Sequence, residues 1–324
     1  MTQLWSVNSL GGYMYSDNLS KELRMGVAPA VRFRQFADIK DPEHQSRHKG
    51  ATFHWNVFST LTADSGSTTR TLTETNTMPK GRYTITQGTM TITEHGIEAP
   101  YTGLLDDLSE QPVKEIIHNV LKRDCKEALD RAAAAEFNKT PLRVCPTSGT
   151  DTSAVTLTTN SVCTLTNTIA LGNLHVKSIV DLMKERNIPA YTDDDYYCIA
   201  WPTTFRAFKD DLESIKQYTD TGFGHIMRGE IGRYENCRFV EQTNVAKTAM
   251  GTAAAAWAQA KSNWAFFFGS DTVAEAVAVP EEIRGKLPGD YGRDKGVAWY
   301  YLGGFGISHT DVDQARIIMW DSAA

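Results

Sequence analysis

Three consecutive aspartates, Asp193, Asp194 and Asp195, have the residue type that a divalent metal ion requires. Hard cations prefer clustered carboxylate ligands, so a run of this kind is a candidate metal site. The three residues follow Pro189 in a loop, and the sequence supplies no obvious further ligands. We therefore expect hydrated charges at this place and no metal ion.

A pair of histidines is the second candidate for metal binding. His44 and His48 are four residues apart, which on a helix would place both rings on one face. Pro42 and Gly50 bracket the pair, however, and this composition is typical of a polar loop. The sequence therefore predicts solvated loop histidines and no metal.

Motifs for other kinds of chemistry are missing. The sequence contains no Walker loop, no G-x-S-x-G elbow and no H-E-x-x-H helix. Gly222-x-Gly224 and Gly304-x-Gly306 each lack the third glycine of a dinucleotide fingerprint. No grouping of carboxylates, histidines and nucleophiles stands out, although a site assembled from distant residues would not show. We therefore expect no catalytic residues and no cofactor.

The bulk composition is that of an ordinary globular protein. The 324 residues are 41% hydrophobic and 22% charged, with a formal net charge of −6. An acidic chain of this kind does not grip nucleic acid by overall charge. It has no apolar run of 18 residues and no signal-like start, so we expect no membrane span and a protein made and used in the cytosol. Five scattered cysteines without C-x-x-C spacing predict free thiols.

The strongest structural prediction is a long helix within residues Ser109–Asn138. Apolar or small residues recur there at the i, i+3, i+4, i+7 spacing of one helix face for about seven turns. Pro112 is expected in the first turn, with Ser109 as a candidate cap. The four alanines at 132–135 would let other backbone lie close.

The residues before this helix are predicted to be extended. Residues 1–50 fit an arm that needs a partner surface better than a domain of their own. Alternating apolar residues from Phe53 to Val57 predict a half-buried strand, and Gly81–His95 predicts the return strand, with a bulge between Gln87 and Gly88. The connection from Ser59 to Lys80 is too long for a compact domain, so it should project or pack against another molecule.

The residues after the long helix predict mixed α/β layers. We expect a hairpin within 141–168, a helix from Asn173, a buried strand at 196–201 and a short helix after Pro202. A turn at 229–232 should lead into a strand at 234–240. Further strands are predicted at 264–268 and, as a pair, within 296–320. The fold class is therefore α+β.

Three passages resemble the major capsid proteins of tailed phages, which have the Hong Kong 97-type fold. They are LTETNTMPKGRYTITQGTMTITEHGIEAPYTGLLDD (72–107), DDDYYCIAWPTTFRAFKDDL (193–212) and GEIGRYENCRFVEQTN (229–244). Within that family they are similar to the subfamily typified by the coliphage N-four coat protein. The passages occur in the family's order, and the likeness runs over most of residues 15–320.

The resemblance implies five regions: an N-terminal arm (1–50), an extended β-hairpin loop (51–100), a peripheral domain with a spine helix (101–165), an axial domain (166–262) and peripheral return strands (263–324). It implies hexamers and pentamers of the chain that form an icosahedral shell around packaged DNA, with the DNA contacted weakly. Portal, scaffolding and decoration proteins are the other implied partners. The virion is the implied location, with assembly in the host cytoplasm. Six residues are expected to have structural or assembly roles: Gly229, Gly232, Arg233, Arg70, Glu74 and Lys80.

Two other classes of protein stay open. One is an enzyme with a dispersed site in the layer of residues 166–262, which a turnover screen with and without divalent metals would detect. The other is a phage fibre or decoration protein, which the Thr-rich strands allow. The long helix argues against the second class, because such proteins are usually nearly all β.

Overall fold

The structure is a computed structural model that describes residues 26–39, 52–63, 72, 74, 78, 80–163, 167–192, 194–216, 232–251 and 261–323. The helices in these ranges are α1 (Gly103–Leu108), α2 (Val113–Phe137), α3 (Asn173–Glu185) and α4 (Arg206–Lys216). The strands are β1 (Ala37–Ile39), β2 (Thr52–Phe58), β3 (Thr62–Ala63), β4 (Gly81–Arg82), β5 (Ile85–Thr91), β6 (Thr93–Thr102), β7 (Leu142–Pro146), β8 (Val155–Thr158), β9 (Tyr196–Ala200), β10 (Arg233–Tyr234), β11 (Cys237–Glu241), β12 (Ala265–Phe268), β13 (Val273–Gly285), β14 (Asp294–Ile307) and β15 (Ile317–Trp320).

The predicted long helix is α2, which has 25 residues and is therefore about 37 Å long. Its buried residues recur every fourth position, from Val113 to Phe137, and form one stripe toward the core. The predicted start needs correction. Pro112 is the N-cap residue and not part of the first turn, and no side chain caps the helix. Ser109 instead ends α1, through its peptide N–H to the carbonyl of Leu105.

A four-stranded sheet with the order β1-β13-β14-β6 packs against α2. The β13–β14 hairpin forms its centre, and β6 pairs antiparallel with β14 from Asp294–Thr102 to Gly303–Thr93. The sequence analysis missed β13. Two register shifts, between Val277 and Glu282, interrupt its pairing, so the strand lacks a regular alternation of apolar residues.

A seven-stranded mixed sheet has the order β10-β11-β9-β12-β15-β7-β8, and its central strands β12, β15 and β7 are buried on both faces. In β12, Phe266 and Phe268 join the apolar cluster with α2, while Phe267 joins the cluster with α3 and α4. A strand covered on both sides reads as a continuous apolar run, which is why β12 was predictable. This sheet takes strands from three of the predicted regions, so the expected divisions at residues 166 and 262 pass between strands that share one sheet.

The aromatic side chains within residues 33–39 are built into the hydrophobic core. Phe33 is fully buried among Phe137, Trp264 and Phe266, and Phe36 packs on Phe268. Just after them, β1 pairs in parallel with β13. The predicted arm is therefore wrong for these residues, because their aromatic side chains have partners in their own chain. Of the rest of the predicted arm, residues 1–25 and 40–50, with His44 and His48, lie outside the described residues.

Polar contacts hold residues 33–39, which we call the inner segment, in place. The guanidinium of Arg34 lies 2.8 Å from Glu275 and 2.8 Å from Glu281, and Tyr301 donates to Glu275 at 2.9 Å. Burial disfavours the charge of Arg34, but the two glutamates outweigh it and raise the pKa of the guanidinium. The backbone N–H of Arg34 also donates to Asp130 of α2. The segment is thus tied to the sheet and to the helix.

Candidate assembly surfaces

The predicted hairpin is a two-stranded ribbon in which β2 and β5 pair without interruption from Thr52–Thr91 to Phe58–Ile85. The expected bulge between Gln87 and Gly88 is wrong, since the ladder is continuous there. The bulge was inferred because the apolar residues change from odd-numbered to even-numbered positions along this segment, and that change has another cause. Even-numbered residues of β5 face inward, and Ile85, like Tyr83 just before the strand, is an apolar residue on the exposed side.

The inner face of the ribbon lies on the glycine-rich end of β14. Trp55 crosses Gly88 of the paired strand, and its indole N–H donates to the carbonyl of Ser308 at 2.8 Å. A Cβ on Gly304 would lie 2.3 Å from the carbonyl oxygen of Thr91, and one on Gly306 would lie 3.0 Å from Met90. Bare backbone at these positions of β14 therefore lets the ribbon approach closely.

The outer face of the ribbon is polar near Thr52 and apolar at the opposite end. There the paired side chains of Phe58 and Ile85 are 65% and 52% exposed. Leu61 and Tyr83 extend this surface and are also more than half exposed. We call these four residues the ribbon patch. Adjacent apolar side chains left open to water are a recognised mark of a protein contact site.

The tip of the β13–β14 hairpin is a second exposed apolar surface. Asp290, Tyr291 and Gly292 are consecutive residues with positive φ, and the Tyr291 side chain is fully exposed. A tyrosine in the left-handed region is uncommon and costs conformational energy. Leu287 is also almost fully exposed, and α1, which begins against Gly292, exposes Leu104.

Arg233, one of the residues predicted to matter, binds a buried carboxylate. Asp195 is 1% exposed, with Nε of Arg233 2.5 Å from one oxygen and Nε of Arg238 2.7 Å from the other. The expectation of a hydrated charge is therefore wrong for Asp195, because two arginines replace the water. Asp194 has a left-handed backbone, and Asp193 is outside the described residues.

A tight turn positions Arg233 over Asp195. The expected single strand at 234–240 is instead the hairpin β10–β11, since Glu235 and Asn236 both have positive φ, as in the turns that favour two-residue hairpin loops. Gly232 precedes it with φ +75°, a conformation that side chains rarely adopt, although a Cβ there would meet no atom within 4 Å.

The structure describes two of the other predicted residues, Glu74 and Lys80. Both are exposed and belong to the connection between the two strands of the ribbon, while Gly229 and Arg70 lie outside the described residues. Sequence reasoning named Asp195 only as a hydrated carboxylate, and it missed Arg238 and the ribbon patch. The exposed phase of β5 was the available signal for the patch, but it was interpreted as a bulge.

A polar cleft of about 630 Å³ lies where the ribbon meets the body, between Phe58, Arg186 and Arg316. Two of its polar side chains are already engaged: Arg186 donates to the carbonyl of Val312, and His309 lies 3.0 Å from Asp271. Among the described residues, no cluster of histidine, cysteine and acidic side chains has the arrangement of a metal site. No described helix is both long and apolar enough to span a bilayer.

No protein-family model matches the sequence, and no curated protein matches it either. Solved structures, in contrast, are similar over nearly the whole chain. A chain in the capsid structure of cyanophage P-SCSP1u has a TM-score of 0.64 at 11% identity, covering 96% of this chain and 94% of that one. A chain in the capsid asymmetric unit of cyanophage Pam1 has a TM-score of 0.64 at 16% identity, covering 97% and 98%.

A chain in the capsid of Ralstonia phage GP4 gives the same picture, with a TM-score of 0.63 at 12% identity and coverage of 99% of this chain and 98% of that one. At such low identity the likeness concerns the fold alone. The chain therefore has the α+β fold of these phage capsid structures, the Hong Kong 97-type fold predicted from its sequence.

Proposed function

We propose that the chain is the major capsid protein of a tailed phage, which self-assembles into an icosahedral shell around double-stranded DNA. The observation that carries this proposal is the ribbon patch. On a subunit with a capsid fold, Phe58 and Ile85 form an apolar surface that the described part of the chain leaves more than half exposed. A second copy is the natural partner, since every subunit of a closed symmetric particle presents the same surfaces.

The finer features of assembly follow from the same proposal. The subunits form hexamers and pentamers, and portal, scaffolding and decoration proteins are further partners. The role is structural and non-enzymatic, and the chain is part of the virion after assembly in the host cytoplasm. With a net charge of −6, the shell contacts packaged DNA only weakly.

The subfamily and the domains are also part of the proposal. Membership of the coliphage N-four-like coat proteins is supported by the three sequence passages. The regions 1–50 (outside the inner segment 33–39), 51–100, 101–165, 166–262 and 263–324 take the roles of arm, extended loop, peripheral domain, axial domain and return strands. Because one sheet crosses residues 166 and 262, the axial and peripheral regions would be mechanically joined.

The predicted residues divide between two tasks. Glu74 and Lys80, with Arg70, belong to the connection that reaches a neighbouring subunit. Gly232 and Arg233, with Gly229, shape the hairpin that Asp195 fixes.

Sedimentation velocity and negative-stain electron microscopy of the purified chain test the function directly. The wild type should give capsomers or shells, whereas a single 35.9 kDa species at every concentration and salt would overturn the proposal. Phe58→Ser combined with Ile85→Ser should abolish assembly and leave the circular dichroism spectrum unchanged. The matched control is Thr52→Ser with Thr91→Ser, a cross-strand pair on the polar end of the same face, which should assemble normally.

A further inference from the structure

Three cations form a basic surface in the middle of α2. Lys122 and Lys126 are one helical turn apart on its solvent side, and both side chains are exposed. Arg123, next to Lys122, is partly exposed and extends this surface. We call Lys122, Arg123 and Lys126 the helix patch. Within the part of the chain that the structure describes, none of the three takes part in an ion pair.

The acidic groups nearest to the helix patch along the chain are already engaged. Asp124 accepts a hydrogen bond from a tryptophan of β14 at 2.8 Å, and Glu127 lies 3.4 Å from an arginine one turn later. On the neighbouring strand β13, Glu281 lies 2.8 Å from the arginine of the inner segment. The exposed Glu115 is about two turns before Lys122, roughly 10 Å along the axis, which is about the screening length of physiological salt. The helix patch therefore presents positive charge to the solvent.

The opposite side of the seven-stranded sheet has a different charge pattern. In β12, Phe266 and Phe268 pack with α2 on one face, whereas Phe267 packs with α3 and α4 on the other. The exposed charges described on α3 and α4 are mixed in sign, and they are Lys177, Lys184, Arg206, Asp181, Glu185, Asp210 and Asp211. Cations and carboxylates are thus interspersed on that side, while the helix patch groups three cations together.

We propose that the helix patch binds the phosphate backbone of double-stranded DNA, so that the α2 side of the subunit faces the packaged genome. Lysines and arginines clustered along one helix are the electrostatic footprint of nucleic-acid binding. Phosphate contacts carry no base-sequence information, so the patch would bind any stretch of a genome. Three contacts in each subunit give weak, salt-sensitive binding. The inference rests on the proposed function, because DNA is the polyanion that this function brings to every subunit.

Chemical modification of the wild-type chain is the first test. The full chain, under non-assembling conditions, is mixed with a short DNA duplex in low salt and treated briefly with acetic anhydride. Peptide masses then give the extent of acetylation at each lysine. The duplex should slow the acetylation of Lys122 and Lys126 several-fold and leave that of Lys184, on the opposite side, unchanged. Equal rates at Lys122 and Lys126 with and without the duplex would overturn the proposal.

Removal of the charges is the second test. The combined change Lys122→Gln, Arg123→Gln and Lys126→Gln should weaken duplex binding. Each phosphate contact contributes about 0.9 to the slope of log affinity against log salt concentration, so the slope should fall by about 2.7. The matched control makes the same change at the three exposed cations of α3 and α4 named above, and it should keep the wild-type slope. An equal loss in both variants would mean that only net charge matters, and the assignment would fail.

A third measurement separates DNA from other polyanions. Polyglutamate replaces the duplex in the same binding assay and should bind more weakly. Equally tight binding of polyglutamate that depends on the helix patch would point to an acidic protein partner and would overturn the assignment to DNA. Because binding is measured on the unassembled chain, a negative result here leaves the assembly experiment unaffected. A wild-type chain that binds the duplex but never assembles would count against the proposed function alone.

Discussion

Residues 33–39 and residues 52–58 are two aromatic-rich segments within the first sixty residues, and they differ in how far their aromatic side chains are buried. In the first, Phe33 and Phe36 are enclosed between α2 and the seven-stranded sheet. In the second, Trp55 faces inward while Phe58 faces solvent. An extended, aromatic-rich segment is therefore not by itself an arm. A segment is part of the core when all its aromatic side chains have partners in the same chain. It presents an exposed surface when only one of its faces is covered.

Truncating one aromatic residue in each segment should give the largest difference. Phe33→Ala removes a fully buried ring and should lower the free energy of unfolding by about 4 kcal/mol. Phe58→Ala removes an exposed ring and should change it by less than about 0.5 kcal/mol. Urea unfolding under non-assembling conditions measures both. Equal effects would mean that the two segments do not differ in the way described.

Removing the charged contacts of residues 33–39 should give the next largest loss of stability. Glu275 is buried, and Glu275→Gln would leave Arg34 with only its more exposed partner, at a cost of about 2 kcal/mol. Glu281 is 44% exposed, so Glu281→Gln should cost less than about 1 kcal/mol. Thermal melts of the two isosteric variants make the comparison. A larger loss for Glu281→Gln would contradict the assignment of Glu275 as the main anchor.

The attachment of the ribbon should be weaker than that of the inner segment. Gly304→Ala would place a Cβ 2.3 Å from the Thr91 carbonyl, so the ribbon must shift, at a cost of about 1 kcal/mol. Protease cleavage within residues 52–91 should become faster, while the melting temperature falls only slightly. Gly285→Ala, with no atom within 4 Å of the new methyl group, is the control and should behave as wild type.

The smallest expected effect is on the pH dependence of stability. The hydrogen bond from Arg34 lowers the pKa of Glu281 below its ordinary value of 4.5. The stabilisation is therefore complete above pH 4.5 and is lost as the pH falls through the folded-state pKa. The stability difference between wild type and Glu281→Gln should shrink between pH 5 and pH 3. A difference that grows on acidification would have the wrong sign.

Periodic and apolar elements were predictable from the sequence, and contacts between distant residues were not. The apolar residues at every fourth position predicted the helix α2, and the run of phenylalanines predicted β12. The inner position of Phe33 depends on Trp264 and Phe266, more than 200 residues later, and no local pattern encodes that contact.

The same limit applied to the candidate surfaces. Arg233 was singled out for its motif, but its partner Asp195 lies in a run of aspartates that looks hydrated in the sequence. The ribbon patch was missed because the change of phase between Tyr83 or Ile85 and the later apolar residues of β5 was interpreted as a bulge. A pattern of alternating residues shows two faces and does not show which of them the fold will cover.

The parallel pairing of β1 with β13 also imposes a delay on folding during synthesis, because the two strands are far apart in the sequence. Arg34 and Glu275 are 241 residues apart. A ribosome adding about 5–20 residues per second needs roughly 12–48 s to make that stretch. During this interval Phe33 and Phe36 lack Trp264, Phe266 and Phe268, which complete their enclosure. Each nascent chain therefore carries exposed aromatic residues for many seconds, and a chaperone that shields residues 33–36 should raise the yield of folded subunits.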